Sequence, residues 1–300
     1  MFLCRSPFLP KGGIMELSLK VIHAGPSSFL VNNTLVMGEK EAVLIDVPFT
    51  RSQAHRVVAE ILESNRDLKY IYITHSHPDH YFSANVLIQA FPNAELIAIP
   101  KIALNIGISA PGRLNFWSPM LGANGPGNPV IPKPYYERFM ELEGSRLEIL
   151  GPIIGDHNES TVIHIPSIDA IIASDLLFNG LHMFTAHGTE EHRRAWVGSL
   201  DYLLSLKPKI VVAGHTAPGA SKEGTEDGIE ALEYARDYLL AFEDEVSRTN
   251  TSDELIAAMR KRYPEAQDLF DGFILTNSAK VAKGERPPSL ETAGLFDKPE

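Results

Sequence analysis

A single cysteine, Cys4, serves all 300 residues, so no internal disulfide can form and a reducing cytoplasm is the expected setting. Long apolar runs are missing as well. Nothing approaches the ~20 residues of a membrane span. The opening MFLCRSPFLPKGGI is broken by Arg5, Pro7, Pro10 and Lys11, which denies it the uninterrupted apolar core of roughly 7–15 residues that a secretory signal needs. Basic charge is scarce: 27 Lys and Arg stand against 38 Asp and Glu, a net charge of -11. A surface of that sign is not built to neutralise phosphates, so neither nucleic acid nor a membrane is expected as a partner. No internal repeat is visible. Residues 1–14 read as a loose extension or an upstream start, residues 15–276 as one domain including C-terminal helices, and residues 277–300 as an extended tail.

Apolar residues make up 44% of the chain, enough for an extensive core. From Glu16 the pattern is strand after strand, over Leu17 to His23, Ser28 to Val31, Leu35 to Met37 and Ala42 to Val47. Asn32-Asn33 and Gly38-Glu39 read as the breaks of an antiparallel meander. Ser52 to Glu63 has helical periodicity, Tyr70 to Thr74 is a strand, Ala84 to Phe91 a helix, Glu95 to Ile99 a strand and Ile102 to Ile106 a short helix. Six prolines and four glycines between Pro111 and Pro134 predict an irregular loop. Loops beyond about 12–15 residues are uncommon without a job, so this one is a candidate lid, with a structural cover or a subunit contact as the alternative. Strands resume at Leu147 to Leu150, Thr161 to Ile165, Ala170 to Ala173 and Ile210 to Ala213, the last preceded by a helix over Glu190 to Leu206. Helices over Gly228 to Ser247 and Ser252 to Arg262 complete the pattern.

What the chain does have is Thr74-His75-Ser76-His77-Pro78-Asp79-His80, four metal-binding side chains within six residues directly after an apolar strand. Imidazole nitrogen and carboxylate oxygen suit a borderline ion such as Zn²⁺, with Ser76 and Pro78 as spacers. Without an ion, three imidazoles and a carboxylate on one turn would carry an uncompensated desolvation cost. Three further donors sit at expected strand ends or beside them: His157, Asp175 and His215. Loops at such ends converge on sites.

Taken in order, HSHPDH followed by a His, an Asp and a Gly-His, the chain resembles the metallo-β-lactamase fold superfamily of metallohydrolases over roughly residues 17–220. The resemblance implies an α/β fold, an αββα sandwich of two mixed sheets flanked by helices. It implies that His75, His77 and His157 hold one divalent metal and that Asp79, His80 and His215 hold a second. Asp175 would bridge the two, and Asp46 would orient a ligand imidazole; Asp79 and Asp46 are the candidate catalytic carboxylates. Two transition-metal ions are implied, Zn²⁺ first, with Fe or Mn as options. Departures from the family pattern cluster at His157, where Asp156 precedes and Asn158-Glu159 follow, and at Ser174 before Asp175. Asp156 or Glu159 could therefore intrude into the site.

His23, His55 and His164 read as structural or surface residues, whereas His182, His187 and His192 lie where substrate contact is open to them. Phe116, Trp117 and Tyr81 are the candidate substrate residues. The implied activity is hydrolysis of a small ester, lactone, thioester or related acyl compound by a hydroxide shared between two metals. The ligand pattern is closer to the glyoxalase II and lactonase branches than to true β-lactamases. A phosphodiesterase on the same metals, or a non-haem iron oxygenase or redox protein of the same fold, is the alternative. Homo-oligomerisation is left open.

Overall fold

A computed structural model of the chain describes residues 17–220, 228–269 and 272–287. The expected extension over residues 1–14 and the end of the expected tail, residues 288–300, lie outside the described residues. Two β-sheets face each other. The first has six strands in the order β1 (Ser18–His23), β2 (Asn32–Met37), β3 (Glu41–Ile45), β4 (Asp67–Tyr72), β5 (Glu95–Ala98) and β6 (Lys133–Pro134). Its first three strands are antiparallel neighbours and the rest run parallel, so the sheet is mixed. The second sheet runs β11 (Ile210–Thr216), β10 (Ala170–Asn179), β9 (Ser160–Ile165), β8 (Ser145–Ile153) and β7 (Phe139–Leu142), with only β10 and β11 parallel.

Strands buried on both faces carry apolar residues without alternation, and Ala42-Val43-Leu44-Ile45 is such a run. Val43 and Ile45 join Val36, Tyr72, Leu147, Ile163, Ile172 and Val212 in the core between the sheets. Ala42 and Leu44 point the other way, into the layer beneath Val57 and Ile61 of α1 (Arg51–Ser64) and Leu87 of α2 (Ala84–Ala90). On the far side Ile171 and Val211 meet Trp196 and Leu200 of α4 (Glu190–Ser205) and Tyr238 of α5 (Gly228–Arg248). The result is the expected αββα sandwich. The sheets are also stitched by polar groups: the Thr161 amide and hydroxyl both donate to the Thr74 carbonyl at 2.8 Å, and Asn32 Nδ2 donates to the Ala213 carbonyl at 2.9 Å.

Three expectations need correction. The proline-rich stretch after Pro111 is helix as far as Leu121, because α3 spans Pro100–Leu121. Ile102, Ile106, Ala110 and Arg113 are buried at helical spacing and Trp117 continues the stripe, while Pro111 and Pro119 lie on the exposed face. Gly107 and Asn115, whose carbonyls those prolines leave unbonded, lie on that exposed face too, open to solvent. Secondly, Ser28 to Val31 is no strand. Pro26–Ser28 form a 3₁₀ turn, and Phe29 and Leu30 have φ of 55° and 62°, so β2 starts at Asn32, a residue expected to break it. Asn32 belongs in the strand because its side chain bonds Ala213, Thr216 and His23. Thirdly, α7 (Phe273–Ala282) runs beyond residue 277, and buried Ser278 accepts the Thr185 amide at 2.9 Å. Helix α6 (Ser252–Arg262) starts with Thr251 and Glu254 bonding each other's backbone amides reciprocally, a sequence-local stop on fraying.

Candidate metal centre

The donors gather where the two sheets open at their strand ends. After β4 the chain leaves the sheet, bends at His75 and Ser76, and reaches His77 in extended backbone. Pro78–His80 then turn as one 3₁₀ unit that carries Asp79 and His80. His215 lies inside β11, and Asp175 lies within β10 rather than at its end, where its pairing with β11 slips register and Ser174 takes φ 48°. That slip aims the Asp175 carboxylate between the histidines.

Each imidazole is oriented by the nitrogen that faces away from the cluster. His215 Nδ1 donates to the Phe29 carbonyl at 2.7 Å, and its ring stacks on Phe178 at 5.0 Å and 3°. His80 Nδ1 bonds Asp46 Oδ2 at 2.9 Å, and His75 Nδ1 sits 3.0 Å from the Thr74 hydroxyl. In all three the Nε2 is left facing inward. His77 is reversed, with Nε2 2.8 Å from His187 Nε2 and Nδ1 pointing to the carboxylates. Fixing one ring nitrogen so that the other is a ready ligand is the usual business of such outer contacts. Asp46 is the hub: it takes the Thr74 amide at 2.8 Å, the Thr74 hydroxyl at 2.7 Å, His80 and, at 3.2 Å, the Ser174 hydroxyl, from a backbone with φ 61°.

Three donor groups result; one, Asp46 with His75 and His80, is taken up by the Asp46 hydrogen bonds above, and two remain. Asp79, His80 and His215 form one, with His80 Nε2 and His215 Nε2 3.8 and 3.7 Å from Asp79 Oδ2 and each 3.2 Å from an Asp175 oxygen. His75, His77, Asp156 and Asp175 form the other. Here His77 Nδ1 stands 3.1 Å from Asp156 Oδ2, and His75 Nε2 stands 3.4 Å from Asp175 Oδ2. Bonds of about 2.0–2.2 Å in a tetrahedron give edges of roughly 3.3 Å, so both groups fit a metal of zinc's size. His75 Nε2, Asp156 Oδ1 and Asp175 Oδ1 are buried and make no hydrogen bond within the protein, an arrangement that an ion completes.

Charge is divided unevenly across the centre. For His80 and His215 burial opposes protonation, but Asp175 and its fellow carboxylates prevail and raise both above the ordinary imidazole value. Burial would raise Asp175, yet His80, His215 and His75 hold it well below the carboxylate range. Asp156 goes the opposite way, pushed well up by burial and then by the Asp175 charge. His77 and His157 are held well below the usual value, by burial first. Imidazoles held neutral on one side, imidazoles drawn toward protonation on the other and carboxylates crowded between them make a site that exchanges protons for a cation.

Of the residues singled out in the sequence, the structure gathers His75, His77, Asp79, His80, Asp175, His215 and Asp46. His157 is nearby, its ring 5.3 Å from that of His77, but it belongs to neither donor group. Glu159 turns away to Lys101 and Asn105 of α3, whereas Asp156 does enter. His164 pairs with Glu148 at 3.0 Å, and His182 bonds Tyr238 at 2.9 Å, both away from the cluster. Trp117 faces the site and packs edge-on against Phe29 and Phe49. Phe116 packs behind it, and Tyr81 is fully buried against Phe82; neither lines the cleft. Thr74 and Ser174 escaped the sequence reading as working parts, since only the folded chain brings them to Asp46, and His187, left open there for substrate contact, stands against His77 Nε2 at 2.8 Å.

The chain matches the profile of the metallo-beta-lactamase superfamily over residues 27–215, and it belongs to that superfamily. Its fold is similar to that of a metallo-beta-lactamase family protein from Thermus thermophilus (20% identity, TM-score 0.60, 88% of this chain and 92% of the other). A beta-lactamase domain protein from Burkholderia ambifaria is comparably similar (15% identity, TM-score 0.60, 89% and 84%). So is a stereoselective inverting sec-alkylsulfatase from Pseudomonas sp. (16%, TM-score 0.58, 88% and 48%). In sequence it is 35% identical over 72 residues to the uncharacterized protein YobT of Bacillus subtilis, a match covering 24% of this chain and 30% of YobT. Membership makes the centre that of a metal-dependent hydrolase family. Among the described residues no helix is long and apolar enough to cross a membrane.

Proposed function

We propose that the protein is a dinuclear metal-dependent hydrolase of small uncharged esters or lactones whose acyl portion is bulky and apolar, with Zn²⁺ as the leading candidate metal. The observation that carries this reading is the cleft over the donors. His77, Asp79, Asp156, Asp175 and His215 form its floor, and Phe29, Trp117, Phe178, Phe184 and Phe273 form its walls. Among the described residues no lysine or arginine lines it, so beyond the metals themselves an anionic substrate finds no side-chain counter-charge there. Pockets of this composition hold ligands by apolar area and orient them with a few polar groups.

His75, His77, Asp156 and Asp175 would hold one ion, and Asp79, His80, His215 and Asp175 the other. The ions, when bound, supply a water activated at neutral pH and polarise the scissile carbonyl. The chain does the rest. Asp46 keeps the His80 Nδ1 proton in place, the Phe29 carbonyl does the same for His215, and the aromatic walls exclude bulk water from the acyl group. Part of that wall, Leu269, Phe273 and Ile274, comes from beyond the region of the family match. Acyl selectivity is therefore assigned to the C-terminal segment together with α3.

A panel of neutral esters and lactones of rising acyl size, run beside RNA and DNA, tests the reading. kcat/KM should climb with apolar acyl size; faster cleavage of either nucleic acid than of every ester would reverse it. Trp117→Ala should lower kcat/KM for the bulkiest good substrate by roughly 10–100-fold, the worth of about 1.5–3 kcal/mol of buried aromatic contact, mainly through KM and with metal content unchanged. Phe116→Ala should move it far less. Equal effects from the two, or none from Trp117→Ala, would remove α3 from the substrate wall.

A further inference from the structure

Sequence order gives the third position on the first metal to His157, but we infer that Asp156 is the ligand there and that His157 is not. The inference rests on the metal reading above and concerns which side chain completes it.

Three observations place Asp156. Its carboxylate is buried, with Oδ2 3.1 Å from His77 Nδ1 and Oδ1 bonded to nothing in the protein. Its amide donates to the Asp175 carbonyl at 3.4 Å, which sets the two acidic residues side by side. The neighbouring Gly155 keeps this loop between β8 and β9 close to β10, since a Cβ there would come within 2.8 Å of Leu176 Cδ1 and 3.5 Å of the Asp175 carbonyl oxygen. Two carboxylates held together in a buried site need a cation between them or a proton on one. His75, His77, Asp156 and Asp175 supply two nitrogens and two oxygens for a tetrahedral set.

His157 is oriented the wrong way for the same task. Its Nδ1 accepts the Glu159 amide at 3.2 Å, so in the neutral ring the proton sits on Nε2. A ligand imidazole is held in the reverse sense, with the outer nitrogen donating and the inner one free, as His75, His80 and His215 are here. His157 would have to break that backbone bond and change tautomer to ligate through Nε2. The carboxylate at 156 needs neither step, and it makes the first donor set harder by one oxygen than three imidazoles would be.

The test uses the full-length protein loaded with Co²⁺. A thiolate bonded to cobalt adds a near-ultraviolet charge-transfer band, so Asp156→Cys should show a band that the parent, with only Cys4, lacks, and His157→Cys should show none. Metal analysis runs in parallel: Asp156→Ala should lose about one of the roughly two ions, and His157→Ala should keep both. A band from His157→Cys, no band from Asp156→Cys in cobalt-loaded protein, or metal loss confined to His157→Ala would each overturn the inference. If the parent takes up no cobalt, the metal reading itself fails. Circular dichroism on each variant separates ligand loss from unfolding, and Asp156→Glu, which keeps a carboxylate, should retain more metal than Asp156→Ala if both fold.

Discussion

Asp175→Ala is expected to cost more than any other single substitution at the centre: metal content should fall from about two ions per chain to one or fewer, and hydrolysis by at least ~100-fold. Asp175 faces the inward nitrogens of both donor groups, 3.4 Å from His75 Nε2 and 3.2 Å from the Nε2 of both His80 and His215. It is also the anion that offsets those imidazoles in the metal-free protein. Removing one partner of a buried charge cluster leaves the others uncompensated, a penalty of about 3–5 kcal/mol. The apoprotein should therefore melt lower, most clearly where His80 and His215 are still protonated. His164→Ala is the matched control, because His164 pairs with Glu148 across β8 and β9 away from the donors. Elemental analysis of both variants decides the matter. Equal metal loss from the two would mean that the donor set is misassigned.

Gly214→Ala should reproduce much of that damage without removing any donor. A Cβ at 214 would lie 2.0 Å from Asp175 Oδ1, 2.7 Å from the Ser174 carbonyl carbon and 2.8 Å from the Asp175 amide nitrogen. The first contact displaces the Asp175 carboxylate and the others push the β10 backbone itself, so no side-chain rotation relieves the clash. Overpacking of this kind costs about 1–3 kcal/mol, and the metal loss should follow from the moved carboxylate. Gly198, in the middle of α4, has nothing within 4 Å of a built Cβ. Gly198→Ala should be neutral or stabilise by up to about 1 kcal/mol. Thermal melts of metal-free and metal-loaded forms separate the two effects: Gly214→Ala should lose the melting increment that metal gives the parent. A full increment in that variant would show that the carboxylate had not moved.

The first ligand cluster was legible because its information is local. His75, His77, Asp79 and His80 lie on one turn, and no folding is needed to see them crowd. Asp46, Asp175 and His215 were legible only through order and strand context, which placed them well enough even though β10 and β11 run past Asp175 and His215. What stayed hidden is tertiary. The cleft walls draw Phe29, Phe178, Phe184 and Phe273 from separate elements, and no spacing in the chain marks them as neighbours. Asp156 was visible as an intruder beside His157, but the choice between them depends on a backbone amide at Glu159 and a register slip at Ser174. The long helix α3 was missed for a different reason. Proline count outweighed the stripe from Ile102 to Trp117, although both interior prolines sit on the exposed face.

The most direct measurement is elemental analysis of the full-length protein purified without chelator from metal-supplemented medium. About two transition-metal ions per chain are expected, since two donor groups lie on either side of the Asp175 carboxylate; a reproducible content near zero would contradict the metal centre and the hydrolase built upon it.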